Sequence, residues 1–307
     1  MRSLVKPLAI ILIAQLALFA ALDWSSNSFE PFNSDEPILT FDKSKINKVN
    51  IETAEQKFEA LKKDKKWVLP AINNFPADSD KISELVTQLS YAPRSIPVGS
   101  TKNTQKQLKV LDDSFEKKIT LSGDNVKAEL IIGTSPSFKK NYVRNAAEDT
   151  VFNIETGNWE LSPDPKAWLD FEYLYFEPSK VSMYTSEDFE ITVSDNKYTI
   201  QGSDKNLDQT KVSDYIKQLS EIKFTELLEK DPVVKSSKAD FYFSVMLPDK
   251  ERVYNFYKDG KDSNYILKLQ GSDYTFKVPG AYVKELSETT IESLIETPKE
   301  AETEETS

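Results

Sequence analysis

The chain has 307 residues, 39% apolar and 29% charged, with a net charge of −11 and a pI near 4.8; that is room for about two domains, each with its own core. It holds no cysteine and no histidine, which excludes disulfides, thiolate chemistry and cysteine-based metal sites, and removes the commonest general base and transition-metal ligand. Oxygen-ligated hard cations stay open, but the acidity, with Arg2, Arg94, Arg144 and Arg252 as the full arginine complement, argues against nucleic-acid binding.

The first element is a membrane segment. Arg2 and Lys6 precede a run without charge from Pro7 to Leu22. With Leu4 and Val5 included and Lys6 snorkelling, residues 4–22 approach the ~20 needed to span a bilayer. Positive charge before the run and Asp23 after it put the N-terminus in the cytoplasm. The expected location is the cytoplasmic (inner) membrane, single-pass, with the body extracytoplasmic. A cleaved signal peptide is the alternative. Cleavage after Ala21 or Ala20 would put Phe19 or Leu18 where a small residue is preferred, so the uncleaved anchor is favoured. Gln15 lies mid-run beside Ala17 and Ala21. A polar group next to small residues is what lets one membrane helix hold another, so these three are candidate contacts to a membrane partner.

Residues 24–39 are polar with two prolines and read as a linker. From residue 40 the pattern repeats. KISELVTQLS (81–90) returns as KVSDYIKQLS (211–220). Both are amphipathic helices, with Ile82, Leu85, Val86 and Leu89 on one face, and Val212, Tyr215, Ile216 and Leu219 on the other copy's. Asp78 and Asp208 are their expected N-caps. Ser44-Lys45-Ile46 pairs with Ser179-Lys180-Val181, Asn141-Tyr142-Val143 with Asn264-Tyr265-Ile266, and Asp149–Ile154 with Asp273–Val278. Four matches in one order predict an internal duplication. Short strand signals precede each helix (Val49–Ile51, Lys57–Leu61, Trp67–Leu69; Val181–Tyr184, Phe189–Val193, Tyr198–Ile200). Longer ones follow, and Phe241, Phe243, Val245 and Leu247 alternate with Tyr242, Ser244 and Met246 to bury one face. Short turns at 122–125, 247–252, 258–263 and 270–273 favour antiparallel hairpins.

The expected class is therefore α+β: two tandem repeated units, each a twisted antiparallel sheet with a packed helix, after an N-terminal transmembrane helix. The expected divisions are 1–23 cytoplasmic start and anchor, 24–39 linker, 40–160 first unit, 161–178 aromatic and proline-rich junction, 179–285 second unit, and 286–307 helix end and acidic disordered tail. A last helix is expected over about 281–295.

Few motifs carry chemistry. The spacing of the eight glycines writes neither a P-loop nor a dinucleotide fingerprint. Ser114/Lys117 and Ser137/Lys140 fit S-x-x-K, but in strand and hairpin contexts rather than at a helix start. Asp112-Asp113, and Asp164 with Asp170, can bind calcium or work as acid and base; solvated acidic loops account for them more simply. Trp67, Trp159, Trp168, Tyr173, Tyr175 and Phe176 can line a glycan or peptide cleft at the junction or serve as inter-domain core. Arg144 is either a recognition residue or a strand-end arginine paired with an acid.

Trp67-Val68-Leu69-Pro70, then Pro76-Ala77-Asp78 running into Lys81-Ile82 and Leu89, resembles the start of the bacterial domain-of-unknown-function 4340 family. Leu130–Gly133, Tyr142-Val143-Arg144, Val151–Ile154 and Trp168-Leu169-Asp170 are similar to that family's pattern in the same order. The clearest likeness covers 44–175, and a weaker one runs to about 285. One piece departs: the family often carries a Tyr-Gly-Leu turn after the helix, and here Leu108–Asp112 has no glycine. The resemblance implies a membrane-anchored envelope protein, often encoded beside ABC-transporter subunits and gliding-motility-like auxiliary proteins, with no known catalytic residue; no cofactor is expected. The expectation is thus a non-enzymatic scaffold or accessory component whose partner is an ABC-type permease or auxiliary subunit. The alternative is an extracytoplasmic glycan or peptide binder that uses the aromatic junction.

Overall fold

The computed structural model describes residues 15, 36–195, 197–202, 205–228, 238–260 and 263–296. Residues 4–22 lie outside this range apart from Gln15, which is helical and exposed; Ala17, Ala21 and the acidic tail also lie outside it. Among the described residues no helix is long and apolar enough to cross a membrane.

The class is α+β, built on two antiparallel sheets with few helices. The first half carries β1 (Ile46–Glu52), β2 (Lys57–Lys63), β3 (Lys66–Leu69), β4 (Phe75–Pro76), α1 (Ser79–Tyr91), β5 (Pro97–Gly99), α2 (Lys102–Gln107), β6 (Lys117–Gly123), β7 (Val126–Ile132), β8 (Lys140–Asn145) and β9 (Val151–Glu155). The second carries β10 (Met183–Ser186), β11 (Glu190–Ser194), β12 (Lys197–Ile200), α3 (Gln209–Ser220), β13 (Glu226–Leu228), β14 (Phe241–Met246), β15 (Glu251–Lys258), β16 (Tyr265–Leu269), β17 (Thr275–Val278) and α4 (Gly280–Ser287). The first sheet runs β4-β3-β2-β1-β6-β7-β8-β9-β5, and the second β12-β11-β10-β14-β15-β16-β17-β13. With β4 set aside, the two orders are identical, element for element. The duplication read from four sequence matches is therefore a duplication of topology.

The ladders correct one of those matches. Asn141 stands opposite Ile154, whereas Tyr265, not Asn264, stands opposite Val278. Ile154 and Val278 are equivalent, so the likeness of NYV to NYI is one residue out of register. Because alternate residues face opposite sides of a sheet, a one-residue shift assigns each side chain to the wrong face.

Two compact units result: 1–68 with 79–168, and 69–78 with 169–307. Two boundaries differ from the expected divisions. Ile38 and Leu39, read as linker, are buried, and the Ile38 amide donates to the Ala92 carbonyl. The segment Leu69–Asp78 groups with the second unit, where Phe75 is fully buried. Its ring lies 5.1 Å from Tyr173 and 4.8 Å from Tyr274. No composition shift marks 69–78, because an apolar residue reads the same whichever core it enters.

The core of the first unit is α1 on the sheet: Ile82, Leu85 and Leu89 are buried with Phe58, Val49, Ile51 and Leu121. The opposite side of β7 and β9 carries a second small cluster, Val110, Ile131 and Val151, with Leu108, Phe115 and Tyr142 against it. The residues after α2 supply that cover, so this sheet is packed on both sides at one end. Lys109 takes φ 53 there: a lysine holds the left-handed turn for which the family resemblance would supply glycine.

In the second unit Val212, Tyr215, Ile216 and Leu219 are buried as the spacing predicts. The alternation on β14 is less clean, since Ser244 is buried beside Phe243 and Val245; β14 lies inside the sheet between β10 and β15. The last helix is shorter than expected. It ends at Ser287, and a separate 3₁₀ turn, Ile291–Leu294, follows the β-branched pair Thr289-Thr290.

Tyr184 and Tyr215 share a hydroxyl–hydroxyl hydrogen bond of 3.0 Å inside this core, and the Tyr215 hydroxyl also donates to the Leu286 carbonyl. Burial pushes Tyr215 up to about 12, and burial raises Tyr184 and Tyr254 as well. A phenol with a raised folded-state pKa holds its proton after the unfolded chain has released it. Its stabilisation is therefore complete below pH ~10 and is lost as pH rises through the folded value. We predict that the urea midpoint is level from neutral pH to about 9.5 and then falls, each such tyrosine contributing a slope of about 1.4 kcal/mol per pH unit. A midpoint unchanged to pH 11 would contradict the burial of these hydroxyls.

Candidate functional site

Most of the residues singled out from sequence have structural roles. Trp168 is fully buried in the first unit, stacked on Phe58 with centroids 4.6 Å apart and planes 18° apart. Its Nε1 donates to the Ser162 carbonyl at 3.0 Å, and the Lys81 ammonium lies 5.3 Å from its ring centroid. Trp67, on β3, is buried as well, and Trp159 is half-buried in the same unit. Tyr173, Tyr175 and Phe176 fall in the second unit, so the six aromatics are divided between two bodies.

Arg144, on β8, is 2% exposed. Its Nε donates to the Val110 carbonyl at 2.7 Å, Nη1 to Glu148 O at 2.9 Å and to Ala146 O at 3.3 Å, and Nη2 to Asp112 Oδ1 at 2.6 Å. The paired-acid reading is the right one, with an addition sequence could not supply: the guanidinium holds the ends of two loops through their carbonyls.

The acidic and serine–lysine candidates have local partners too. Asp164 Oδ1 accepts from the Lys166 amide, and Asp170 Oδ1 from the Glu172 amide. The Lys117 ammonium donates to the Leu161 carbonyl. The Lys140 amide closes the Ser137–Lys140 turn on the Ser137 carbonyl. Among the described residues no three or more acidic side chains gather as a metal-binding group.

A groove of about 680 Å³ opens in the second unit, within the size range of ligand clefts. One wall is Tyr175 to Ser179, the other is Tyr198, and the outer face of α3 supplies Thr210, Ser213, Asp214, Lys217 and Glu221. Each wall is fixed from behind. Arg252, on β15, donates to the Tyr175 carbonyl at 2.6 Å and the Tyr173 carbonyl at 3.0 Å. The Tyr254 hydroxyl takes the Leu174 carbonyl between them at 2.8 Å. Opposite, the Gln209 amide acts as a one-residue strand partner: its Oε1 accepts from the Tyr198 amide at 2.7 Å and its Nε2 donates to the Tyr198 carbonyl at 3.0 Å. The outer edge of β12 is thus tied to the start of α3. Asp208 caps that helix through the Thr210 and Lys211 amides.

Glu177, Asp214 and Glu221 outnumber Lys217 in the groove, so its lining carries a net negative charge. Glu177 accepts from Ser179 Oγ and the Tyr175 hydroxyl. Desolvation, with Glu177, Glu172 and Glu221 nearby, raises the Tyr175 phenol, so it stays a neutral donor. The arrangement can attract and orient cationic or hydrogen-bonding groups. Of the aromatic candidates only Tyr175 lines it. Sequence reasoning missed Tyr198, Asp214, Lys217 and Glu221. The usable signal was the polar face of KVSDYIKQLS, which was read only for its apolar side.

No curated protein and no solved structure matches the chain. One family model does, over residues 67–241, from β3 through the start of β14 and so across both repeats. With more than half its length matched, the chain belongs to the family described as Domain of unknown function (DUF4340).

Proposed function

We propose that the chain is a non-enzymatic, membrane-anchored envelope protein, a scaffold or accessory component of an ABC-transporter-type membrane complex, with its two repeats on the extracytoplasmic side. The observation that carries this reading is where the reactive and aromatic side chains are. Arg144, Trp67 and Trp168 serve packing, while the groove beside α3 is open and its walls are tied by the hydrogen bonds of Arg252 and Gln209. Such a surface suits recognition of a partner better than turnover. The N-terminal apolar run and the resemblance supply the membrane and the class of partner. A second reading, an extracytoplasmic glycan or peptide binder, draws support from Tyr175 and Tyr198 in the same groove.

Protease added to spheroplasts should digest the repeats and leave the N-terminal segment in the membrane. Co-purification after crosslinking in intact cells should then recover a permease or auxiliary subunit. A protected body, or a mature N-terminus near residue 21, would count against the anchored topology. Recovery of soluble proteins alone would count against the complex.

A further inference from the structure

Six large apolar side chains are exposed among the described residues, and three of them fall in one short stretch. Tyr91 is 71% exposed, Ile96 76% and Val98 44%, all within the eight residues that leave α1 and form β5. Pro93 and Pro97 between them are exposed as well. Scattered apolar side chains on a surface need no explanation, but a contiguous group does.

This loop also receives the chain from its N-terminal side. The Arg94 amide donates to the Glu36 carbonyl at 2.9 Å and the Ile38 amide to the Ala92 carbonyl at 2.8 Å, with Pro37 bridged antiparallel to Pro93. The antiparallel sense sets Glu36 opposite Arg94, on the side of the loop that leads to Ile96. Residues 23–35 separate this point from the apolar run that ends at Leu22. Thirteen residues reach no more than about 45 Å even when fully extended. The exposed apolar loop is thus tied by a short tether to the element expected to enter the bilayer. A cation flanks it: the Lys43 ammonium lies 5.2 Å from the Tyr91 ring centroid, whereas the half-buried Arg94 is paired with Glu148 at 2.6 Å.

We propose that Tyr91, Ile96 and Val98 dock on the surface of the bilayer from which the anchor emerges, apolar side chains at the headgroup boundary and Lys43 toward anionic headgroups. Tyrosine with aliphatic neighbours and a lysine is the composition that interfaces favour. The first repeat then lies against the membrane at this loop. The inference rests on the anchored reading above, and the test separates the two.

The chain has no cysteine, so single-site labelling is clean. Full-length protein carrying Ile96→Cys or Phe138→Cys is labelled with an environment-sensitive fluorophore and reconstituted into nanodiscs of phosphatidylglycerol and phosphatidylethanolamine. Phe138, 87% exposed in the same unit, is the control. The expected result is co-elution of both proteins with the discs, with blue-shifted emission and quenching by lipid-borne spin labels at position 96 only. Tyr91→Ser with Val98→Asp should abolish that blue shift without loss of co-elution. Co-elution with water-like emission at 96, or equal shifts at 96 and 138, overturns the docking and leaves the anchor standing. Failure to co-elute overturns both.

Discussion

Replacing Arg144 by methionine is expected to lower the unfolding free energy by about 3–5 kcal/mol. Methionine fills much of the volume, so the loss comes from the groups left behind. The carbonyls of Val110, Ala146 and Glu148 lose their donor, and a buried acceptor without a partner costs about 1–3 kcal/mol. The ion pair is the smaller part. Asp112 is 66% exposed, and an exposed carboxylate contributes at most about 1 kcal/mol. Asp112→Ala should therefore change stability by no more than about 1 kcal/mol. Lysine at 144 should rescue little, because one ammonium cannot reach carbonyls that the planar fork serves from two nitrogens, Nε and Nη1. Urea denaturation of the three variants checks the ordering. An Asp112→Ala effect as large as that of Arg144→Met would show that charge, not loop closure, is what this residue supplies.

Trp168→Ala is expected to cost about 3–5 kcal/mol. The side chain is fully enclosed, stacked on Phe58, and anchored through Nε1. Its removal leaves a cavity under α1 and takes the ring from beneath Lys81, which keeps the Ala167 carbonyl at 2.7 Å and Glu160 at 3.3 Å. Trp168→Phe keeps the stack but not the indole donor, and should lose about 1–2 kcal/mol. Tyr175→Ala, by contrast, should leave stability nearly unchanged, since that ring is 39% exposed. The comparison separates an aromatic of the core from an aromatic of the groove. A stability loss at Tyr175 equal to that at Trp168 would contradict the division drawn between them.

Much of the fold was legible because repetition is a signal that periodicity alone lacks. Ile82, Leu85, Val86 and Leu89 recur as Val212, Tyr215, Ile216 and Leu219, and the hairpin turns fall where glycine, asparagine and aspartate said they would. Three things were not legible. The route of Leu69–Asp78 into the second unit depends on which core has room for Phe75. The one-residue slip at Asn141 is invisible to residue likeness and appears only in the ladder. The role of Arg144 depends on carbonyls that any sequence would supply. The site was less legible than the fold. A groove is made by backbone placement, here through Arg252 on carbonyls and Gln209 on a strand edge, and neither long-range pairing leaves a trace in composition.

The two repeats offer an internal control for the central claim. Ser213 of α3 lines the groove, and Ser83 of α1 is its counterpart in the first repeat. A photo-reactive amino acid placed at each position in turn, in intact cells, tests the claim in one measurement. The account predicts an adduct with an integral membrane protein from position 213, and none with that protein from position 83. Equal adducts from both positions, or none from 213, would contradict it.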